Sequence, residues 1–322
     1  MNHLIFGGSG FIGHHLEQSL LKNPNEHVYI FDLLKGPYSQ STYEMIDVRN
    51  KIETVYSPKK EDIIYNMAAV HRTPGHASEH YFETNIKGAQ NVCDYARKHN
   101  IKTIVFTSSI AVYGVYESQK TEQTIPMPDI PYGISKLTAE YIHRLWQMEA
   151  PNNRRLIIVR PGVVFGQYEN GNFTRLINAI ARNRFFYPGR KDTIKACIYV
   201  KDLVNSINGM VVDKNEGVQL FNMTYEPAPT IEEICVTIAR NSFLKAPRVV
   251  LPAWLLLLIS KMVFPIIKGE SFHPDRIKKL MVSNNINGEK FKNNHHFEFG
   301  LEKGLRDWIL TVKFSKDTPK IH

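Results

Sequence analysis

The chain opens Met1-Asn-His-Leu-Ile-Phe-Gly7-Gly-Ser-Gly10-Phe-Ile-Gly13. His3–Phe6 is a short apolar run of the kind that forms a buried strand. No basic region precedes it and it runs straight into a turn, so it reads as a first strand and not as a signal peptide. Gly7, Gly10 and Gly13 fit G-x-x-G-x-x-G, and Gly8, Gly10 and Gly13 fit G-x-G-x-x-G. In either frame the chain must turn sharply, let its backbone approach a pyrophosphate, and pack the next helix close to the strand. Phe11 and Ile12 open that helix, whose free N–H groups and positive dipole end then face the phosphates. His27–Phe31 reads as the second strand, and Asp32 ends it, 19 residues after Gly13. A carboxylate there accepts hydrogen bonds from both adenosine ribose hydroxyls and repels a 2′-phosphate. NAD is therefore expected rather than NADP, with Lys35 nearby as the opposing sign. The bland alternative for Asp32 is a solvated acid at a strand end.

Working outward, Asp62–Tyr65, Lys102–Thr107 and Arg155–Arg160 read as further buried strands, and Phe11–Lys22 and Tyr81–His99 as helices. Alternating strands and helices imply an α/β fold, a Rossmann-type doubly wound parallel sheet covered on both faces. After about residue 165 the rhythm loosens. Asn172–Asn183 reads as a helix and Lys195–Val200 as a strand. Asp202–Val212 reads as a helix with Asp202 as its N-cap, and Thr230 with Glu233 as a capping box on the next. The expected division is a cofactor-binding domain over 1–166, with 196–222 returning to it, and a smaller C-terminal α/β substrate lobe over 167–195 and 223–322.

The 322 residues are 43% hydrophobic and 22% charged, which excludes a disordered chain, a collagen-like repeat and a disulfide-stapled miniature. Cys93, Cys197 and Cys235 form no C-x-x-C pair, so neither a disulfide framework nor a thiolate zinc site is expected, and a reducing cytoplasm is the default. The net charge is +9. Between Arg154 and Lys195, nine basic residues face only Glu169 and Asp192. That concentration suits an anionic small molecule, with Arg182, Arg190 and Lys195 as candidates for its phosphates. Phe173, Phe185, Phe186 and Tyr187 lie in the same stretch, but no nucleic-acid motif accompanies them and no nucleic-acid partner is expected. Val249–Ile267 is the most apolar segment. Pro252, Lys261 and Pro265 interrupt it, so it is too short to span a membrane. It reads as a buried or lobe-capping helix, or else as a surface helix lying on a membrane with Trp254 and Lys261 as anchors.

Tyr132-Gly-Ile-Ser-Lys136 stands at the start of a helix running to about Met148. Four residues apart, Tyr132 and Lys136 lie on one helical face. A phenol titrates near 10, and a neighbouring ammonium together with a nicotinamide cation lowers that value, which makes the tyrosine a general base near neutral pH. Thr107-Ser-Ser109 ends a central strand about 25 residues earlier, and in a parallel sheet ligands sit beyond the carboxyl ends of the strands.

These motifs, with Asp47-Val-Arg49, Asn66-Met-Ala-Ala69, Asn85 and Arg160-Pro-Gly162, resemble the extended short-chain dehydrogenase/reductases, in particular the NAD-dependent nucleotide-sugar epimerases, dehydratases and reductases. The resemblance is specific up to about residue 166 and thinner beyond. It implies that Gly7, Gly10 and Gly13 hold the NAD pyrophosphate and Asp32 its ribose. Asp47 and Val48 would flank the adenine, Ala68 and Ala69 would line the cofactor floor, and Asn85 would belong to the cofactor site. Ser109 would hold the reacting sugar oxygen, Tyr132 would exchange the proton, and Lys136 would hold the nicotinamide ribose and tune Tyr132. A homodimer built from the Tyr81–His99 and Thr138–Met148 helices is implied as well.

Where the dehydratases carry Thr-Asp-Glu, this chain has Ser109-Ile-Ala111, so elimination is disfavoured. Ser-Ser-x-x-Val-Tyr-Gly114 suits a 4-epimerase acting through a 4-keto sugar. Arg160-Pro-Gly-Val-Val-Phe-Gly166 and the segments His273–Leu280 and Gly304–Trp308 look more like 4-keto-hexosamine reductases or hydroxysteroid-type members. An epimerase acting on a nucleotide-diphosphate sugar is the leading reading. A reductase is its close rival, and a non-catalytic NAD-sensing regulator the rival from another class. Among His71, His76 and His80, the Pro74-Gly75 between His71 and His76 breaks any helical ligand spacing, so no metal is expected. His71, with Arg72 and Thr73, is instead a candidate for contact with substrate.

Overall fold

The computed structural model describes residues 1–37, 39–71, 76–115, 117–213, 216–256, 258 and 281–311. Seven parallel strands form the central sheet: β1 (Asn2–Phe6), β2 (His27–Asp32), β3 (Thr42–Met45), β4 (Ile63–Asn66), β5 (Thr103–Thr107), β6 (Arg155–Pro161) and β10 (Gly217–Met223). Their order across the sheet is β10-β6-β5-β4-β1-β2-β3. The chain therefore winds outward one way from β1 and the other way from β4. The crevice between the carboxyl ends of β1 and β4 is the switch point at which open α/β sheets bind ligands.

Alternate side chains along each strand feed two separate apolar layers. Ile5, Val105, Ile157 and Val159 pack with Leu16 of α1 (Phe11–Leu20) and Leu203, Ile207 and Met210 of α6 (Val200–Val212). Leu4, Phe6, Ile104, Phe106, Leu156 and Ile158 face the other way. They pack against Val92 and Ala96 of α3 (Gly88–Lys98) and Ala139 and Trp146 of α4 (Pro131–Met148). Burial on both faces is why these strands are near-continuous apolar runs.

Two strands escape the sequence reading. β3 is mostly polar and half-exposed, and β10 mixes Gln219 and Asn222 with apolar residues. Both are edge strands, where only one neighbour demands a pairing surface. The expected helix over Tyr81–His99 is a composite: a short turn α2 (Ser78–Tyr81), a π-helical stretch Phe82–Lys87, then α3. The expected strand at Lys195–Val200 shortens to β9 (Cys197–Tyr199), because α6 already begins at Val200.

Asp202 is not an N-cap, since Tyr199 takes that position. It lies inside the first turn and accepts hydrogen bonds from the Phe299 and Gly300 backbone N–H groups, 2.9 Å each, and from the Tyr225 hydroxyl at 2.8 Å. It thereby ties the start of the helix Gly300–Thr311 to the sheet layer. The capping box forms as read: Thr230 Oγ1 accepts from the Glu233 N–H at 3.2 Å, and Glu233 accepts from the Thr230 N–H at 2.7 Å.

Beyond β6, β7 (Val163–Phe165) pairs with β9, while β8 (Tyr187–Pro188) pairs with β11 (Val250–Leu251). α5 (Asn172–Ala181) and α7 (Ile231–Ser242) cover this part of the chain. Most of Val249–Ile267 after Leu256, including Lys261, and all of His273–Leu280 lie outside the described residues. Among the described residues, no helix is long and apolar enough to cross a membrane.

Candidate active site

The glycine turn closes against the switch point. Gly7 sits at φ +79°, a conformation that favours glycine, and a Cβ there would lie 2.5 Å from the backbone nitrogen of Ala68, just past β4. A Cβ on Gly13 would lie 2.6 Å from the Cα and carbonyl oxygen of Gly8, so Gly13 lets α1 lie close on the turn. Gly10 N-caps α1. No side chain caps that end, and no acidic residue occupies the first turn where Phe11, Ile12 and Gly13 stand. The helix start is left with donors for an anion.

Asp32 is not a solvated acid. One carboxylate oxygen accepts from the Ser9 N–H at 2.9 Å and the other from the Leu33 N–H at 2.7 Å, which pins the end of β2 to the glycine turn. Burial raises its pKa above the usual carboxylate range while these two bonds oppose the rise. Asp47 is gripped through its carboxylate by Arg49, at 2.7–3.0 Å. Val48 is buried under Gly88, where an added Cβ would come within 2.8 Å of it. Asn85, within the π-helical stretch, is occupied internally. It brackets Val70 through N–H and C=O at 2.9 and 3.1 Å, and donates to Ser135 Oγ at 2.8 Å. Ser135 in turn donates to the Tyr132 carbonyl at 2.8 Å. Asn85 thus joins the loop after β4 to the start of α4. π-turns often mark such places because they re-aim one helical residue.

Ser109 follows β5 and N-caps a 3₁₀ turn over Ile110–Tyr113, its Oγ accepting from Ala111 N–H at 3.2 Å. Its hydroxyl also lies near enough to the Tyr132 phenol to favour the phenolate. Close approach is possible because Gly133 carries no side chain: a Cβ there would lie 2.4 Å from the Ala111 carbonyl oxygen. Pro131 opens α4 at a position where its missing N–H costs nothing. Burial pushes the Tyr132 phenol up to about 12, the Ser109 hydroxyl pulls it down, and the Tyr81 phenol, with ring centroids 6.2 Å apart, adds to the rise. Lys136 is buried, its Nζ donating to the Thr107 carbonyl at 2.8 Å and lying 5.0 Å over the Phe106 ring. Burial lowers its pKa to about 7, and Glu140 one turn on opposes that. The expected lowering of the phenol by the lysine is therefore not seen in the chain alone: the ammonium is aimed at the Thr107 carbonyl and the Phe106 ring, and desolvation dominates the phenol.

The substrate candidates are less concentrated. Arg190 and Lys195 converge on one loop. Arg190 donates to Ser283 Oγ at 2.8 Å and to Glu117 at 2.7 Å, and Lys195 Nζ donates to the neighbouring Val282 carbonyl at 2.7 Å. Arg182 ends α5 at the surface. His71 is exposed after β4, and Arg72 and Thr73 lie outside the described residues. The basic stretch 154–195 does not form one surface, since Arg160 is interior, paired with Glu140. Among the described residues, no group of three or more His, Cys, Asp or Glu is placed to hold a metal ion.

The sequence reading missed Tyr81, Ser108, Tyr113 and Glu140, all buried around the Ser109–Tyr132–Lys136 set. Only Glu140 carries a sequence signal, the continued four-residue spacing 132, 136, 140.

Comparison with known proteins agrees with this architecture. Over 251 residues the chain is 29% identical to an N-acetyl-α-D-glucosaminyl-diphospho-ditrans,octacis-undecaprenol 4-epimerase of Escherichia coli O157:H7, covering 78% of this chain and 75% of that one. The solved UDP-N-acetylglucosamine 4-epimerase of Bacillus cereus superposes with a TM-score of 0.74 at 20% identity, over 96% of this chain and 98% of that one. The UDP-glucuronic acid 4-epimerase of the same organism, solved with NAD, gives 0.72 at 20% identity, over 96% and 99%. Residues 3–223, from the first strand to the end of β10, match the model of one family throughout. With a glycine turn at the switch point and a Ser, Tyr and Lys set beyond β5, the chain belongs to the NAD dependent epimerase/dehydratase family.

Proposed function

We propose that this protein is an NAD-dependent 4-epimerase of a nucleotide-diphosphate sugar. The observation that carries the reading is the approach of Ser109 to the Tyr132 phenol, beside buried Lys136, beyond the end of β5. The residues fit NAD: a Cβ at Gly7, Gly8 or Gly13 would collide with its neighbours, α1 begins without a capping side chain or acid, and Asp32 is fixed at the end of β2. Gly7, Gly10, Phe11, Ile12 and Gly13 would hold the pyrophosphate, Asp32 the adenosine ribose, and Asp47, Val48, Ala68 and Ala69 the remainder of the cofactor wall. Asn85 would support that wall through Val70 and α4. Bound NAD supplies the acceptor and donor of hydride at sugar C4.

Ser109 Oγ holds the C4 oxygen. Tyr132 takes the hydroxyl proton as hydride leaves and returns it after the 4-keto sugar has turned to present its other face. Lys136 supplies positive charge beside the phenol and the nicotinamide ribose. Arg190 and Lys195, together on the 282–283 loop, would meet the diphosphate, with Arg182 and His71 at its edges. Residues 1–166 with 196–222 form the cofactor unit in this reading, and 167–195 with 223–322 the substrate lobe.

A second reading is favoured by one surface. Val249, Val250, Trp254 and Leu258 are exposed, 58%, 40%, 68% and 50% respectively, beside Lys245 and Arg248. An apolar edge with cations suits a membrane surface, and the Escherichia coli relative is named for a sugar on a diphospho-undecaprenol carrier. In that reading the protein is cytoplasmic and works at the inner membrane face.

The test is to purify the protein, assay released NAD after denaturation, and follow C4 configuration by NMR. UDP-N-acetylglucosamine, UDP-glucose, UDP-glucuronic acid and N-acetylglucosaminyl-diphospho-undecaprenol are each supplied with and without NADH. Conversion without added NADH, by protein that carries NAD, supports epimerase. If none of these 4-hydroxy sugars is inverted, while a 4-keto nucleotide sugar is reduced with NADH consumed in proportion to product, the protein is a reductase and the proposal is overturned.

A further inference from the structure

Behind the reacting set lies a fully buried ion pair. Arg160, on β6, donates from Nε to Glu140 Oε1 at 2.8 Å and from one terminal nitrogen to Oε2 at 2.6 Å. Glu140 Oε1 also accepts from Ser108 Oγ at 2.5 Å. The other terminal nitrogen of Arg160 donates to the Tyr113 hydroxyl at 2.7 Å, which in turn donates a hydrogen bond to Asn222 Oδ1 at 2.8 Å. Ser108, Tyr113, Glu140, Arg160 and Asn222 are each no more than 2% exposed. Two buried charges are costly to keep, and apolar residues of similar size often give equal or greater stability. Their placement suggests another use. Ser108 and Tyr113 bracket Ser109 at the two ends of its 3₁₀ turn, and Glu140 lies one helical turn beyond Lys136, on the Tyr132 face of α4.

We propose that Glu140 and Arg160 are positioning residues: their ion pair locks the Ser109 turn against α4 and sets a fixed negative charge behind Lys136. This rests on reading Ser109, Tyr132 and Lys136 as the reacting set. The groups at Lys136 are Glu140 and His143 from its own helix and Phe106 and the Thr107 carbonyl from the end of β5, with Ser108 and Arg160 of β6 bonded to Glu140. Of these, Glu140 is the carboxyl side chain, and Arg160 grips it through both of its oxygens. Removing its charge leaves burial of Lys136 unopposed and frees the serine turn from the helix.

The experiment follows the Lys136 side chain by NMR in protein carrying ¹³C at lysine Cε, its resonance identified by its loss in Lys136→Arg. Glu140→Gln should move the Lys136 titration midpoint down by about one pH unit. With the substrate identified above, kcat should fall roughly tenfold or more with little change in KM, and the alkaline limb of the pH profile should move to lower pH. Because Glu140→Gln leaves Arg160 unpaired, the double variant Glu140→Gln/Arg160→Met is measured beside it, and near-UV circular dichroism checks both folds. The double variant should keep its fold and show a Lys136 midpoint displaced in the same direction by a smaller amount, because the Arg160 charge is removed with that of Glu140. An unmoved midpoint in either folded variant, or a loss confined to KM, overturns the proposal. If the wild-type chain converts no diphosphate sugar while the midpoint still moves, the reaction assigned above is wrong and the link from Glu140 to Lys136 stands.

Discussion

Ser109 and Tyr132 meet although 23 residues separate them, and each is held by something other than the other. The 3₁₀ turn holds Ser109, and Pro131, Ser135 and Asn85 hold the first turn of α4. Tyr132→Phe should lower turnover about 10²-fold or more and leave NAD affinity within a few-fold of wild type, read by steady-state kinetics and calorimetry. Elsewhere single residues control stability. Burial lowers the pKa values of His15 and His143 to about 4, and both are nearly inaccessible to solvent. Their folded values lie below the unfolded 6.5, so the stability they contribute is complete above pH 6.5. It is lost as pH falls toward 4, by up to about 3 kcal/mol each. Urea denaturation at pH 7, 6, 5 and 4.5 should show this decline. A midpoint constant over that range would mean these rings are solvated.

At the scale of elements, the glycine turn and α1 act as one unit, because Gly7 abuts Ala68 and Gly13 abuts Gly8. Gly7→Ala combines a disfavoured backbone angle with a collision against backbone that cannot step aside. A loss of at least about 2 kcal/mol is expected, together with a large loss of NAD affinity, measured by denaturation and by calorimetry with NAD. Thr230→Ala removes half of the capping box on α7, at a residue that pairs with Ile194 and not with the glycine turn. It should cost about 1 kcal/mol and leave NAD affinity unchanged. The contrast between the two variants separates a cradle from an ordinary helix end.

At the scale of the whole molecule, α4 shows one face to the site and another to solvent. Ile134, Tyr141, Leu145 and Met148 are exposed, 42%, 57%, 60% and 67%, at spacings that place them on one stripe. An apolar stripe of this kind on a helix otherwise packed against the sheet suits a second copy of the chain. Sedimentation should find a dimer in the wild type and a monomer in Tyr141→Glu/Leu145→Glu. Two monomers would refute the pairing. The same scale settles what becomes of the +9 charge. Arg160 is spent inside the fold, Arg154 pairs with Glu149 at 2.6 Å, and Lys191 pairs with Glu232 at 3.0 Å. A local excess counted along the chain therefore overstates what any ligand meets.

The central strands, the glycine turn, Asp32 and the Tyr132–Lys136 spacing are legible in the sequence because each is local. Burial on both faces demands continuous apolar runs, a tight turn demands glycine, and one helical turn demands a spacing of four. The edge strands β3 and β10, the π-helical stretch and the place of Asp202 are not legible, because their partners come from distant parts of the chain. The same holds for Glu140 and Arg160. Glu140 continues the 132, 136 spacing and Arg160 opens a motif, but nothing along the chain pairs them, and only the packing of α4 over β5 and β6 brings the two charges together and hides them from water.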